Sequence, residues 1–124
     1  PWTEAEFTAL LSDPLIFAVT TGEPLAGFAL GRAVAGEAEL LTLAVAPHMR
    51  RQGRARELLV AFEGRAVDAG ATDAFLEVAA DNSAAIALYT TAGWTERGLR
   101  KGYFQQQDGV RVDALVLGKA LAPN

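Results

Sequence analysis

Cysteine is absent from this chain, which excludes disulfides, thiolate catalysis and cysteine-bound metal. Histidine is almost absent: His48 stands alone, so His-based metal sites and serine–histidine triads have little support. Long apolar runs are missing too. None approaches the roughly 18 residues of a membrane span. No signal-peptide pattern appears, and a soluble cytoplasmic protein is the default expectation. Excess positive charge is also lacking. The formal net charge of −4 speaks against nonspecific binding to nucleic acid or membrane. What is present is an ordinary globular composition, 51% hydrophobic and 21% charged, in 124 residues that suffice for one domain with one core.

The pattern along the chain reads as helix, three strands, helix, strand, helix, two strands. Thr3 to Leu11 is a short helix opened by a capping box, with Thr3 as N-cap and Glu6 three residues on. Leu15–Thr20, Leu25–Val34 and Glu37–Ala46 form an antiparallel meander, with turns at Thr21-Gly22-Glu23-Pro24 and Ala35-Gly36. Leu58, Leu59, Phe62, Ala66 and Ala69 recur at helical spacing in a helix from Gln52 to Ala69, which Gly70 stops. Ala74–Ala80 is a strand, and strand–helix–strand over this length implies a right-handed crossover and a parallel pair. Asp81-Asn82-Ser83 caps a second helix to about Ala92. Trp94–Arg100 and Arg111–Gly118 are the last strands, joined by a polar, glutamine-rich loop from Lys101 to Val110. The result is an α/β domain (1–124) built on a mixed, mostly antiparallel sheet with a central parallel pair. Ligands of such sheets bind beyond the carboxyl ends of the parallel strands.

That position is occupied by an unusual run of charge. Arg50, Arg51, Arg54 and Arg56, four of the eleven basic residues, crowd the start of the helix after the third strand. A helix N-terminus carries partial positive charge and favours acids, so arginines there make sense around an anion. Gly53 lets the backbone approach it closely and Ala55 is too small to obstruct it. The spacing is neither a Walker A loop nor a dinucleotide fingerprint, and a solvated arginine patch is the plain alternative. Glu77 is the second signal, a carboxylate between Leu76 and Val78 in a strand that should be apolar on both faces. It is either a general base or a carboxylate at the sheet rim. Asn82 reads first as a helix cap. Tyr89, on the apolar face with Ala85, Ile86 and Leu88, is a core tyrosine or a proton donor.

Leu41-Thr42-Leu43-Ala44-Val45, Pro47 and Arg50-Arg51-Gln52-Gly53-Arg54-Ala55 together resemble the acetyl-CoA motif of the GNAT acyltransferase superfamily, Q/R-x-x-G-x-G/A. Leu76-Glu77-Val78, the run Asn82 to Tyr89, Gly93-Trp94, and Pro1-Trp2 followed by Phe7 resemble more narrowly its ribosomal-protein alanine N-acetyltransferase (RimI) group. The resemblance implies a single GNAT-like domain with helices on both faces of the sheet. Its parallel pair would splay at the acetyl-CoA site, and the chain would lack the family's first strand and most of its first helix.

It also implies roles. Backbone amides of Leu43, Ala44 and Val45 would bind the pantetheine arm, and the turn Arg50, Arg51, Gln52, Gly53, Arg54, Ala55, Arg56 the pyrophosphate. Asn82 would contact the CoA arm, Glu77 would be the general base and Tyr89 the general acid. Transfer would be direct, a backbone N–H near Val45 would stabilise the tetrahedral oxyanion, and no metal would take part. The acceptor would be a protein or peptide N-terminus, one from a ribosomal protein in the RimI group, and the enzyme a monomer or weak dimer. Where that group tends to show Asn-Tyr-Tyr before the last strand, this chain has Gly102-Tyr103-Phe104, which places Tyr103 at the acceptor side. A small-molecule amine as acceptor and a non-enzymatic acyl-CoA-binding module are the alternatives.

Overall fold

The structure, a computed structural model, describes residues 3–22, 25–50 and 53–122. The Pro1-Trp2 segment, Glu23 and Pro24 of the first turn, and Arg51 and Gln52 of the arginine turn lie outside the described residues. The elements are α1 (Glu4–Ser12), β1 (Ile16–Thr21), β2 (Gly27–Val34), β3 (Glu37–Val45), a 3₁₀ turn (Pro47–Met49), α2 (Arg54–Asp68), β4 (Asp73–Ala79), α3 (Ser83–Thr91), β5 (Thr95–Gln105) and β6 (Arg111–Ala120). The order is the one the sequence predicts, with the 3₁₀ turn added. The capping box of α1 is formed: Thr3 Oγ1 accepts from the Glu6 N–H at 3.1 Å, and Glu6 Oε1 accepts from the Thr3 N–H at 2.9 Å.

One six-stranded sheet runs β1-β2-β3-β4-β6-β5. All neighbours are antiparallel except β3 and β4, whose parallel register covers only Glu37↔Asp73, Ala38↔Ala74 and Glu39↔Phe75. Beyond it the two strands part. The cause lies on the other side of β3: Leu30 pairs with Thr42 but Gly31 pairs with Leu40, so Leu41 is one residue too many for β2. Such a bulge bends the strand that carries it. β4 stays in unbroken register with β6 from Asp73↔Ala120 to Ala79↔Ala114. A bent strand beside a straight one opens a wedge at their carboxyl ends.

The core lies on one side of that sheet. α2 lays fully buried Leu58, Leu59, Phe62 and Ala66 against β1, β2 and β3. The Phe62 ring stacks on Phe17 at 5.7 Å between centroids and leans on Trp94 at 6.4 Å. β4 contributes Ala74, Leu76 and Val78 to this core, while Asp73, Phe75, Glu77 and Ala79 alternate with them, half-buried on the opposite face. The expectation that β4 is buried on both faces is therefore corrected, because α2 and α3 pack on the side of Leu76 and Val78.

A second correction concerns the Lys101–Val110 loop. β5 continues through it to Gln105, pairing Phe104↔Val112 and Gln105↔Arg111, and only a tight turn closed by Gln106 N–H on the Val110 carbonyl at 2.8 Å remains. The polar composition hid a strand whose register with β6 is irregular between Arg100 and Phe104. There Gly102 takes a positive φ of 59°.

Candidate active site

The wedge is lined where the sequence predicts an anion. A cavity of about 610 Å³ is bounded by Leu43, Ala44 and Val45 of β3 and by Arg50, Gly53, Arg54, Ala55 and Arg56 at the start of α2. Ala84, Ala85 and Leu88 of α3 close it. These three had not been singled out as site residues, although two adjacent alanines at a helix start are a legible sign of kept space. Gly27 helps to shape the β3 wall: a Cβ there would stand 2.5 Å from the Ala44 carbonyl oxygen. Only glycine lets β2 lie this close to the exposed stretch of β3.

Gly53 is the N-cap of α2 at φ 76°, a left-handed conformation without a side-chain cap. The first helical bond is Glu57 N–H to the Gly53 carbonyl at 3.0 Å. The preceding N–H groups, of Arg54, Ala55 and Arg56, belong to the first turn, whose donors have no intrahelical partner. The arginines are partly engaged. Arg50 Nε donates to the Val45 carbonyl at 3.3 Å and Arg56 Nη2 to the Thr91 carbonyl at 3.4 Å. Arg54 Nη1 meets Glu57 Oε2 at 3.4 Å, and that same oxygen accepts from Thr21 Oγ1 at 2.6 Å. Glu57 is thus an acid inside the arginine cluster. Arg54 Nε remains a buried donor with no acceptor among the described residues. First-turn backbone donors, a glycine cradle and a guanidinium N–H with no acceptor among the described residues fit a phosphate-bearing, extended co-substrate.

Glu77, Asn82, Tyr89 and Tyr103 do not line this cavity. Asn82 caps α3, its Oδ1 accepting from the Ala85 N–H at 3.2 Å beside the cavity wall. Tyr89 is buried, its ring 6.0 Å from that of Trp94, and burial pushes its hydroxyl above the ordinary tyrosine range. Glu77 points to the opposite face of β4, where Arg100 Nε lies 3.0 Å from its Oε2. The sequence pictured a carboxylate in search of a partner; the structure gives it an arginine from β5. Arg100 also lies 5.1 Å over the ring of exposed Tyr103. A second carboxylate, Glu39 of β3, was missed. Its proton affinity is raised, first by burial and then by the charge of Glu77, against the opposing effect of Arg32 and Arg100. The signal was available, since Glu39 sits between Ala38 and Leu40 much as Glu77 sits between Leu76 and Val78.

A wedge between parallel strands whose floor is a glycine–arginine helix start suits an acyl-CoA transferase, and sequence comparison shows that class of protein. The sequence profile of the acetyltransferase (GNAT) family matches residues 1–94. The chain belongs to this family and is an acetyl-CoA-dependent N-acetyltransferase. Within the family it is 36% identical over 118 residues to the [ribosomal protein bS18]-alanine N-acetyltransferase of Escherichia coli K12, covering 94% of this chain and 79% of that protein. It is 36% identical over 115 residues to the N-alpha-acetyltransferase RimI of Mycobacterium tuberculosis, covering 85% and 68%. The crystal structure of the ribosomal-protein-S18-alanine N-acetyltransferase from Escherichia coli superposes with a TM-score of 0.89 at 32% identity, over 100% of this chain and 80% of that one. No helix among the described residues is long and apolar enough to cross a membrane.

Proposed function

We propose that this enzyme acetylates the N-terminal α-amine of a protein, of the ribosomal-protein-alanine type. The observation that carries the donor side is the wedge, in which eight of the residues predicted to hold acetyl-CoA meet in one cavity. The acceptor side is supported by the 36% identity to the bS18-alanine enzyme over 94% of this chain. Leu43, Ala44 and Val45 would offer backbone groups to the pantetheine arm. The turn from Arg50 through Arg51, Gln52, Gly53, Arg54 and Ala55 to Arg56 would hold the pyrophosphate, and Asn82 would reach the CoA arm.

Acetyl-CoA supplies a thioester carbonyl as the electrophile. An α-ammonium titrates at about 7.7–8.0 against about 10.4 for lysine, so near neutral pH it is the easier group to deprotonate. Glu77 takes that proton, directly or through a water. The nitrogen bonds to the carbonyl carbon, the C–S bond breaks, and Tyr89 gives its hydroxyl proton to the departing thiolate. A backbone N–H near Val45 stabilises the negative oxygen in between. Tyr103 stands on the acceptor side. Burial suits Tyr89 to its role, since it keeps the hydroxyl protonated at neutral pH.

The test is incubation with acetyl-CoA and two synthetic peptides, one with a free N-terminal alanine and one Nα-blocked with internal lysines, read by mass spectrometry. Acetylation of the first alone is expected. Modification of lysines alone, or of polyamines and no peptide, would replace the reading with a side-chain or small-molecule acceptor.

A further inference from the structure

Arg100 and Glu77 form an ion pair without a hydrogen bond. Arg100 Nε stands 3.0 Å from Glu77 Oε2. Yet no donor is aligned on that oxygen, which is buried and without a hydrogen bond among the described residues. The carboxylate side chain is 16% exposed and the arginine 57%. Arg100 sits where β5 loses its register with β6, and its guanidinium also lies over the face of Tyr103. On the same face, Glu39 lies across from Phe75, two residues before Glu77, with Arg32 opposite it on β2. β6 presents Val116 and Ala114 in the rows of Glu77 and Arg100, neither of which titrates.

We infer that Arg100 is a stand-in for the acceptor's ammonium: it covers Glu77 in the free enzyme, and the incoming α-ammonium displaces it into the space between Glu77 and Glu39. Arg100 then withdraws over Tyr103 without leaving the site. Glu39 is a positioning residue that helps to seat the cation and acts on the reaction through Glu77. The inference rests on the proposed acetylation of a peptide amine and adds which residues receive that amine.

Steady-state kinetics with an alanine hexapeptide, at saturating acetyl-CoA across pH, test it. Arg100→Gln removes a competitor, so the peptide KM falls, by up to about fivefold for a screened ion pair. The acidic limb of kcat/KM moves up as a nearby positive charge is lost. Glu39→Gln does the reverse in both respects. A raised peptide KM in Arg100→Gln, or an unmoved acidic limb in both variants, overturns the inference. A readout without turnover or substitution is the NMR signal of the Arg100 Nε–H in the wild-type protein. It should shift on adding the free hexapeptide and stay still with its Nα-acetylated twin; an equal response to both, or none to either, overturns the inference. A shift with the free peptide but no acetylated product would instead sink the proposed function and leave the ammonium seat standing.

Discussion

Burial acts on Tyr89 and on Glu39 in the same direction, raising the proton affinity of each, but only one of the two is favoured by it at neutral pH. Tyr89 stays neutral and keeps the proton that a thiolate would need. Its ring packs on Trp94 whether or not the hydroxyl is present, so Tyr89→Phe should unfold at nearly the wild-type temperature. The same variant, like Glu77→Gln, should lose on the order of 10²–10⁴-fold in kcat, the usual contribution of general acid–base groups. CoA affinity measured by calorimetry should be preserved in both, since neither residue lines the donor cavity. Unchanged turnover in both variants would remove the assigned acid and base. Glu39 is the opposite case. Its folded-state value lies above the unfolded one, so the folded state binds the proton more tightly and stability falls as pH rises through that window. Glu39→Gln should therefore raise the melting temperature at pH 7 more than at pH 4, and an equal effect at both would show that burial of the charge is not the cause. Glu77 was legible in the sequence because a carboxylate interrupts an apolar strand. Glu39 obeys the same rule, but Glu37-Ala38-Glu39-Leu40 also reads as a solvent-facing alternation. Only the sheet order, which sets β3 between β2 and β4, makes it half-buried.

Elements were legible where the signals are local and lost where they depend on partners. The capping box of α1, the helical stripe of α2 and the glycine stops all lie within a turn or two of the residues they govern. The splay of β3 from β4 comes instead from Leu41 being surplus to its pairing with β2, and pairing register is not written in either strand alone. For the same reason the end of β5 reads as a loop from its composition: its ladder to β6 resumes only at Phe104. The proposed donor site depends most on one local device, the left-handed Gly53 ahead of α2. An added Cβ there would meet nothing among the described residues within 4 Å, so a substitution would be strained by its φ of +76°. Gly53→Ala should cost about 1–2 kcal/mol in denaturant unfolding and raise the KM for acetyl-CoA, because relief of the strain re-aims the free N–H groups. Gly53→Asn, which tolerates this conformation better, should recover part of both losses. An alanine variant with wild-type stability and donor KM would show that the left-handed cap is not what shapes the site.

Over the whole molecule, charge is divided by function. The formal net charge is −4, yet four arginines stand at the start of α2, where the donor's phosphates would bind. The face proposed to receive the acceptor carries Glu39 and Glu77, with Arg32 and Arg100 beside them. Outside those four arginines of α2 the chain carries 7 basic residues (11 − 4) against 15 acidic ones, which leaves an attractive field for a basic acceptor and a repulsive one for an acidic acceptor. Raising ionic strength from about 0.01 M to about 0.15 M shortens the screening length from about 30 Å to about 8 Å. With acetyl-CoA held saturating, kcat/KM for an alanine-initiated peptide followed by arginines and lysines should fall over that range. For the same length of peptide carrying aspartates and glutamates it should rise from a lower starting value. The opposed slopes separate steering by the protein's charge from a general effect of salt on the enzyme, which would move both peptides together. Parallel slopes would mean that the acceptor is recognised through contacts at its N-terminus alone, with no contribution from the field of the sheet face behind it.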